Sequence, residues 1–289
     1  MSVNESNGSS GVLLATDRAP RCDRALDRAL VLARSLGGTA VAATMVDPGT
    51  RQAEKVLRRK QPDWYRATSL RTRAERWLRR EVAQPGVAWR VHAGEGDAGA
   101  QLNGILDGCA GDMLVVTGPV RPGVLSPTVF GSTVDHLLRR ERIALLTVHE
   151  RVHGEYRHMV VASDFSAPSL AALQRARALF PAARLTVLHG FEVPLLGLMN
   201  TGQDETVAQV RAQLREAGQA LLHKHAPDAE LVVEHGDPAR LVQQHVESVD
   251  PDLVVVGTHG RGAVYELLVG SVARRIVAAS AVDTLLIRS

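Results

Sequence analysis

The sequence predicts two tandem α/β domains, each a parallel sheet with helices on both faces. Three observations carry this. Short apolar runs of strand length alternate with stretches of helical periodicity along the chain. The pattern starts again near residue 158, with matching residues about 140 positions apart, which marks a duplicated domain rather than a solenoid. The strand ends at Asp164, Gly190 and Gly257 would converge on one crevice at the carboxyl edge of the sheet, where open α/β sheets bind ligands.

Taken in order, residues 11–16 (GVLLAT) read as a buried strand ending at Asp17. A helix follows, with Ala25, Leu26, Ala29, Leu32 and Ala33 on one face. Gly37-Gly38 closes it, and TAVAATMV is a second strand ending at Asp47. Residues 51–82 are helical and basic, with Leu70, Ala74, Trp77, Leu78 and Val82 at helical spacing. A strand at 87–92, a short helix at 98–108 and a strand at 112–117 come next. A helix near 131–140 and the strand at 143–148 complete the first copy.

In the second copy, HMVVASD at 158–164 repeats GVLLATD, and ARLTVLHGFE at 183–192 repeats TAVAATMVD. VVEHGDPA parallels WRVHAGEGDA, and DLVVVG parallels DMLVVTG. The offset is 147 at Asp17/Asp164, 142 at Gly94/Gly236 and 139 at Gly131/Gly270, so the copies differ by small insertions. The expected layout is a disordered lead over 1–10, a first domain over 11–150, a linker over 151–157 and a second domain over 158–289.

With 289 residues and 45% apolar content the chain can build sizeable cores. Aromatics are only 3%, so Val, Leu and Ala must fill them. The net charge of +3 is too small to imply nucleic acid, although residues 51–81 hold eleven Lys/Arg against four Asp/Glu. A solvated helix face accounts for that stretch, with Trp77 on its apolar side. Two cysteines, Cys22 and Cys109, make no disulfide framework or metal spacing and favour a reducing compartment. The polar start lacks the apolar core of a signal peptide, and no apolar run approaches a membrane span. A cytoplasmic location is expected.

The stretch with most chemistry is Gly257 to Ser271, GTHGRGAVYELLVGS. Gly257 and Gly260 follow a buried strand, where glycines let the backbone turn through positive φ and bring bare N–H groups near a ligand. Gly270-Ser271 opens a helix, adding orphan N–H groups, a hydroxyl and the positive end of the helix dipole. Both halves suit a polyphosphate. The spacing G-x2-G-x9-G-[S/T] resembles the ATP-binding signature of universal stress proteins, and Gly257, Gly260, Gly270 and Ser271 match it without a gap.

That resemblance covers nearly all of residues 11–289 in two copies. It implies five-stranded, doubly wound domains of the adenine-nucleotide α-hydrolase-like fold, paired as an internal pseudo-dimer. It also implies that Ala162, Ser163 and Asp164 contact the adenine and ribose end, with Gly190 against the base. Gly257, His259 and Gly260, in one loop with Thr258, would wrap ribose and α-phosphate; Gly270, Ser271 and Val272 would hold the β- and γ-phosphates. Arg261 either neutralises phosphate or is a solvated loop residue, and Asp164 also suits the cap of the following helix. The implied ligand is ATP, with Mg or Mn as candidate companions of the phosphates. The expected partners are an adenine nucleotide, an unidentified protein and, as a candidate, a second copy of the chain; no membrane is expected from the apolar runs, and the charge balance speaks against nucleic acid.

The first copy keeps Asp17 and Gly131-Ser132, but its loop reads TGPVRPGVLSPTVF. With Gly118 aligned to Gly257, Arg121 replaces Gly260 between Pro119 and Pro122; aligning Thr117 instead loses the first glycine too. Either way a side chain fills the backbone's place and prolines remove N–H donors, so this site is expected to be dead or altered.

Two motifs are decoys. His149-Glu150-Arg151-Val152-His153 spells HExxH, but it follows a strand and leads into the next domain, where a linker belongs. Gly94 to Gly99 spells GxGxxG, yet the next strand ends Val116-Thr117-Gly118 without the required acid. Two rivals to a nucleotide-dependent stress sensor remain: a slow ATP hydrolase or phosphotransferase, and an interaction module without nucleotide.

Overall fold

The protein is described by a computed structural model covering residues 11–46, 68–119, 131–194, 202–258 and 269–288. It divides into two compact units, Met1–Leu137 with Leu145–His153, and Leu138–Ala144 with Gly154–Ser289. The strands of the first are β1 (Gly11–Ala15), β2 (Ala40–Val46), β3 (Trp89–Glu95), β4 (Met113–Thr117) and β5 (Ile143–Thr147). Their order is β3-β2-β1-β4-β5. The helices are α1 (Asp23–Leu36), α2 (Leu70–Glu81), α3 (Ala98–Asp107) and α4 (Gly131–Leu137).

The second unit repeats this plan. Strands β6 (His158–Ala162), β7 (Arg184–Phe191), β8 (Glu230–His235), β9 (Leu253–Gly257) and β10 (Asp283–Arg288) lie in the order β8-β7-β6-β9-β10. They alternate with α5 (Ala167–Leu179), α6 (Gln203–His225), α7 (Pro238–Val249) and α8 (Ser271–Ala279). The registered pairs β6–β7, β6–β9, β7–β8 and β9–β10 are all parallel. The central strands are buried along nearly their whole length, as sheets covered on both faces require. Leu13, Leu14 and Leu114 fill the core of the first unit, and Met159, Leu173, Leu185 and Leu253 that of the second.

The registers settle how the copies correspond. Ala15 pairs with Thr117 and Ala162 with Val256, so Gly118, not Thr117, is the counterpart of Gly257. Met45 pairs with Gly94, whereas Gly190 pairs with Glu234. Gly236 therefore matches Gly96 at an offset of 140, not Gly94 at 142. Their backbones agree: Gly96 (φ 98°) and Gly236 (φ 141°) both turn with positive φ ahead of a capping Asp. Asp97 accepts from the Ala100 N–H at 2.7 Å, and Asp237 from the Arg240 N–H at 2.9 Å. Gly94 is the misleading glycine because its residue type, not its backbone, resembles Gly236.

The two decoys resolve structurally. Residues 149–153 are not helical, so the two histidines of HExxH share no helical face. In the GxGxxG stretch, Gly96 makes the turn and Gly99 lets α3 pack on α4, where a Cβ would lie 2.5 Å from the His136 side chain. Strand β3 starts two residues later than expected, and α4 ends at Leu137 rather than near 140. The basic segment's residues 51–67, including Trp64 and Tyr65, and the lead 1–10 lie outside the described residues. Its remainder forms α2, capped by Ser69, which accepts from the Thr72 N–H at 3.1 Å. No described helix is long and apolar enough to cross a membrane.

His158, at the start of β6, is buried away from the strand ends that carry the motif. Its Nε2 lies 2.9 Å from Thr186 Oγ1, and the Arg184 guanidinium lies 3.1 Å from its Nδ1. The same guanidinium nitrogen lies 3.4 Å from Nε2, and because Arg184 can only donate, at least one ring nitrogen accepts: a neutral ring. Burial first, then Arg184 and His245, pushes its pKa down against the opposing pull of Asp252 and Glu230. His245 is pushed down as well, by burial. With the folded pKa below the unfolded one, the unfolded chain takes up the proton first as pH falls. The stability tied to these neutral rings is therefore fully present above about pH 6.5 and declines as pH falls below it. Urea denaturation should show a midpoint that falls between about pH 7 and pH 5, with a shallower fall in His158→Gln. An unchanged slope in that variant would contradict the neutral-ring assignment.

Candidate nucleotide site

The sheet order of the second unit reverses between β6 and β9, which pair side by side with Ala162 opposite Val256. A crevice outside the carboxyl ends of such a pair is the general ligand position of doubly wound sheets. Ser163-Asp164 leaves one side of it and Gly257-Thr258 the other. The structure thus brings the predicted Ala162, Ser163, Asp164, Gly257 and Thr258 to one place.

The turn after β6 is built by side chains. Ser163 Oγ accepts from the Phe165 N–H at 3.1 Å, and Asp164 Oδ1 accepts from the Ser166 N–H at 3.0 Å. Phe165 is held at φ 59°, an uncommon conformation for a bulky residue. Ser166 then caps α5. Asp164 therefore orders the turn but is not the helix cap itself. The first unit repeats this geometry: Thr16 Oγ1 accepts from the Arg18 N–H at 3.0 Å, Asp17 Oδ1 from the Ala19 N–H at 2.9 Å, and Arg18 has φ 64°. Left-handed non-glycine residues at matching positions of both copies are local strain that the hydroxyl–Asp pair holds in place.

Three contributors escape the motif. Phe165 stacks on His189, centroids 4.4 Å apart, and His189 Nδ1 donates to the Ser163 carbonyl at 2.8 Å. Ser169 Oγ lies 3.0 Å from Ser163 Oγ. The signal available in the sequence was the repeated hydroxyl–Asp pair, Thr16-Asp17 and Ser163-Asp164, which is the composition of a side-chain-bonded turn.

The two described ends of the long loop are tied together. Thr258 donates its N–H to the Ile287 carbonyl at 2.9 Å, and its own carbonyl accepts from the Gly270 N–H at 2.8 Å. Gly270 is the N-cap of α8 with φ −59° and no side chain to offer, so the first-turn N–H groups gain no capping side chain. Ser271 and Val272, in that first turn, are exposed. Gly257 is the last residue of β9, paired with Ile287, so it does not use the left-handed freedom expected of it, and Gly270 opens the helix as expected with an ordinary φ. The strand pairing and the cap need ordinary φ values. His259, Gly260 and Arg261 lie outside the described residues.

Arg275 joins α8 to the start of α7 through two 2.7 Å bonds to Asp237. These bonds, and then the Arg240 N–H, hold the Asp237 carboxyl below its ordinary range. Gly190 sits at the end of β7, where a Cβ would meet Pro238 Cα at 2.8 Å. Its lack of a side chain is thus required by the packing of α7, whatever else it touches.

In the first unit the same Asp is occupied differently. Asp17 pairs with Arg21 and accepts from Cys22 Sγ at 3.1 Å. Burial alone would raise its pKa; the Ala19 N–H, Cys22 and Arg21 outweigh that and hold it low. Pro168, with no cation, stands at the position corresponding to Arg21.

A tandem pair of 3-2-1-4-5 parallel units, each with a hydroxyl–Asp turn at its switch point, defines the class of protein. A sequence model of the Universal stress protein family matches residues 10–149 and again 155–288, and the chain belongs to that family. A universal stress protein of Mycobacterium tuberculosis is 29% identical over 186 residues, which is 61% of this chain and 61% of that protein. The match thus spans about three-fifths of that relative's length. A Thermus aquaticus universal stress protein is 30% identical over 137 residues, covering 46% of this chain and 99% of its own. The crystal structure of a universal stress protein from Archaeoglobus fulgidus shares the fold, with a TM-score of 0.61 at 16% identity over 96% of this chain and 98% of that one.

Gly190→Ala should destabilise the second unit by about 1–3 kcal/mol without any ligand, because α7 must shift to admit the methyl. Thermal melting of nucleotide-free protein checks this; an unchanged melting point would remove the packing constraint.

Proposed function

We propose that this chain binds ATP in its second unit and acts in the cytoplasm as a nucleotide-dependent stress sensor or regulator. The observation that supports this best is the intact G-x2-G-x9-G-S, within which Gly270 donates its N–H to the Thr258 carbonyl, at the strand end next to the one that carries Asp164. In this reading Asp164 and Ser163 serve the adenosine end and Gly190 borders the base. Gly257, Thr258, His259 and Gly260 follow the ribose and α-phosphate. Gly270, Ser271 and Val272 present N–H groups, a hydroxyl and the helix dipole to the outer phosphates. Arg261 adds a cation. Among the described residues no group of three His, Cys, Asp or Glu side chains could hold a metal, so Mg or Mn would be carried by the phosphates. A protein partner, or a second copy of the chain, would read out the nucleotide state.

The first unit does not bind ATP in this reading. Arg21 already neutralises Asp17, Pro119 removes an N–H at the end of β4, and Arg121 replaces the second glycine. Calorimetric titration should give one ATP per chain; two equivalent sites would refute the asymmetry.

Gly260→Arg copies the first unit's residue into the second. In the wild type, ATP at about 100 times its dissociation constant adds roughly 2.7 kcal/mol, a melting shift of about 5–10 °C. The variant should keep a cooperative transition and lose most of that shift. Melting without ATP separates any backbone strain, which lowers the baseline, from lost binding, which does not. Retention of the full shift would show that this loop does not hold the nucleotide.

A further inference from the structure

The apolar surface of the first unit is unevenly covered at its edge strand. Ala93 of β3 packs with Val46 and with Ala74 of α2, and Leu70 packs against them. Side chains alternate along a strand, so Trp89 and Val91 share that face. The helix ends at Glu81, however, and both residues are only half-buried. They line a groove of about 500 Å³ together with Val82, Pro85, Val87 and, from the last turn of α2, Arg79. The connection that walls it is held in place, because Gln84 Nε2 donates to the Leu30 carbonyl of α1 at 3.2 Å. By the register that matches Gly96 with Gly236, the second copy has Ala229 where the first has Trp89. The fold itself therefore does not require an indole there.

Three features limit what this groove can hold. First, β3 is the terminal strand and, among the described residues, pairs only with β2. Its outer row of N–H and C=O groups is offered to another extended backbone. Second, the groove lacks the convergent polar side chains that orient a small molecule. Its one amide, Gln84, already donates to Leu30. Third, no lining residue is acidic. Arg76 and Arg79, one turn apart on α2, are exposed and make no ion pair among the described residues, whereas Arg71 and Arg80 are engaged by Glu75 and Glu81. A fitting ligand brings carboxylates and an apolar side chain on a backbone that can continue the sheet.

We propose that the first unit carries a docking surface for an acidic segment of a partner protein, which adds to β3 as a further strand. An apolar side chain of that segment enters the groove against Trp89, Val87 and Pro85, and a neighbouring carboxylate meets Arg79. In strand addition the main-chain bonds supply affinity, and the pocket and the charge supply selectivity. The surface lies at the amino end of β3, whereas the nucleotide crevice lies at the carboxyl strand ends of the second unit. The proposal goes beyond the nucleotide reading and does not rest on it.

The test uses the full chain and a fluorescein-labelled peptide of about six residues, the usual strand length, that alternates Asp with Leu. Fluorescence anisotropy should show one peptide bound per chain. The same peptide with Lys in place of Asp should bind more than about tenfold more weakly. N-methylation of alternate backbone nitrogens should abolish binding in one register and spare it in the other, because only one edge of an added strand faces β3. Arg79→Glu should weaken the acidic peptide about fivefold. Unlabelled peptide should shift the tryptophan emission to the blue, and Trp89→Phe should remove that shift. The proposal is overturned if the acidic peptide does not bind, if the Lys peptide binds equally, or if both N-methylated registers bind like the parent. It is also overturned if Arg79→Glu binds as the wild type does. Release of the peptide by phosphatidylglycerol vesicles would overturn it too, assigning the surface to a membrane. If Trp89→Phe proves unfolded by circular dichroism, Arg79→Glu, altered at an exposed side chain, decides in its place.

Discussion

Everything in this chain depends on strands buried on both faces. Runs with no polar side chain to spare, such as Leu253 to Val256, leave the carboxyl ends as the place where the sheet can present polar groups. The ends must then satisfy their own backbone while turning sharply into a helix. Both units solve this with the same side-chain device, a hydroxyl bonding two residues ahead and an aspartate bonding two residues ahead of itself. That device accompanies the left-handed conformation of Arg18 and Phe165 in both copies.

The two copies then diverge by what surrounds that aspartate. Arg21 and Cys22 engage Asp17, whereas Pro168 and Ser169 occupy the corresponding positions beside Asp164. Ser169 joins Ser163, and the His189–Phe165 stack backs the turn. In the other copy Thr44 holds the place of His189, with its hydroxyl buried and without a hydrogen-bond partner. Duplication thus preserved the backbone of the site and changed its chemistry. In the first copy the aspartate is neutralised within the unit by Arg21.

Much of this was legible in the residues. Apolar runs of strand length, helical periodicity and the restart at 158 specify an alternating α/β order, and parallel pairing follows from that alternation. The glycine spacing from Gly257 to Gly270 and the prolines at 119 and 122 marked the two copies as unequal, because residue type alone decides where an N–H exists. The hydroxyl–Asp pairs were visible as composition at both strand ends.

Register and close approach were decided only in three dimensions. Which of Thr117 and Gly118 answers Gly257, and which of Gly94 and Gly96 answers Gly236, depends on cross-strand partners that linear spacing does not contain. That the packing of Pro238 demands a glycine at 190 is likewise visible only in the fold. The pairing of Arg21 with Asp17 and the orphaned Thr44 hydroxyl arise from side chains meeting across β1, β2 and the turn between β1 and α1. Sequence determined the order of elements and the supply of donors, since those are local properties of the chain. Tertiary packing decided which of those donors were already taken, because a hydrogen bond is consumed by whichever group the fold brings within about 3 Å.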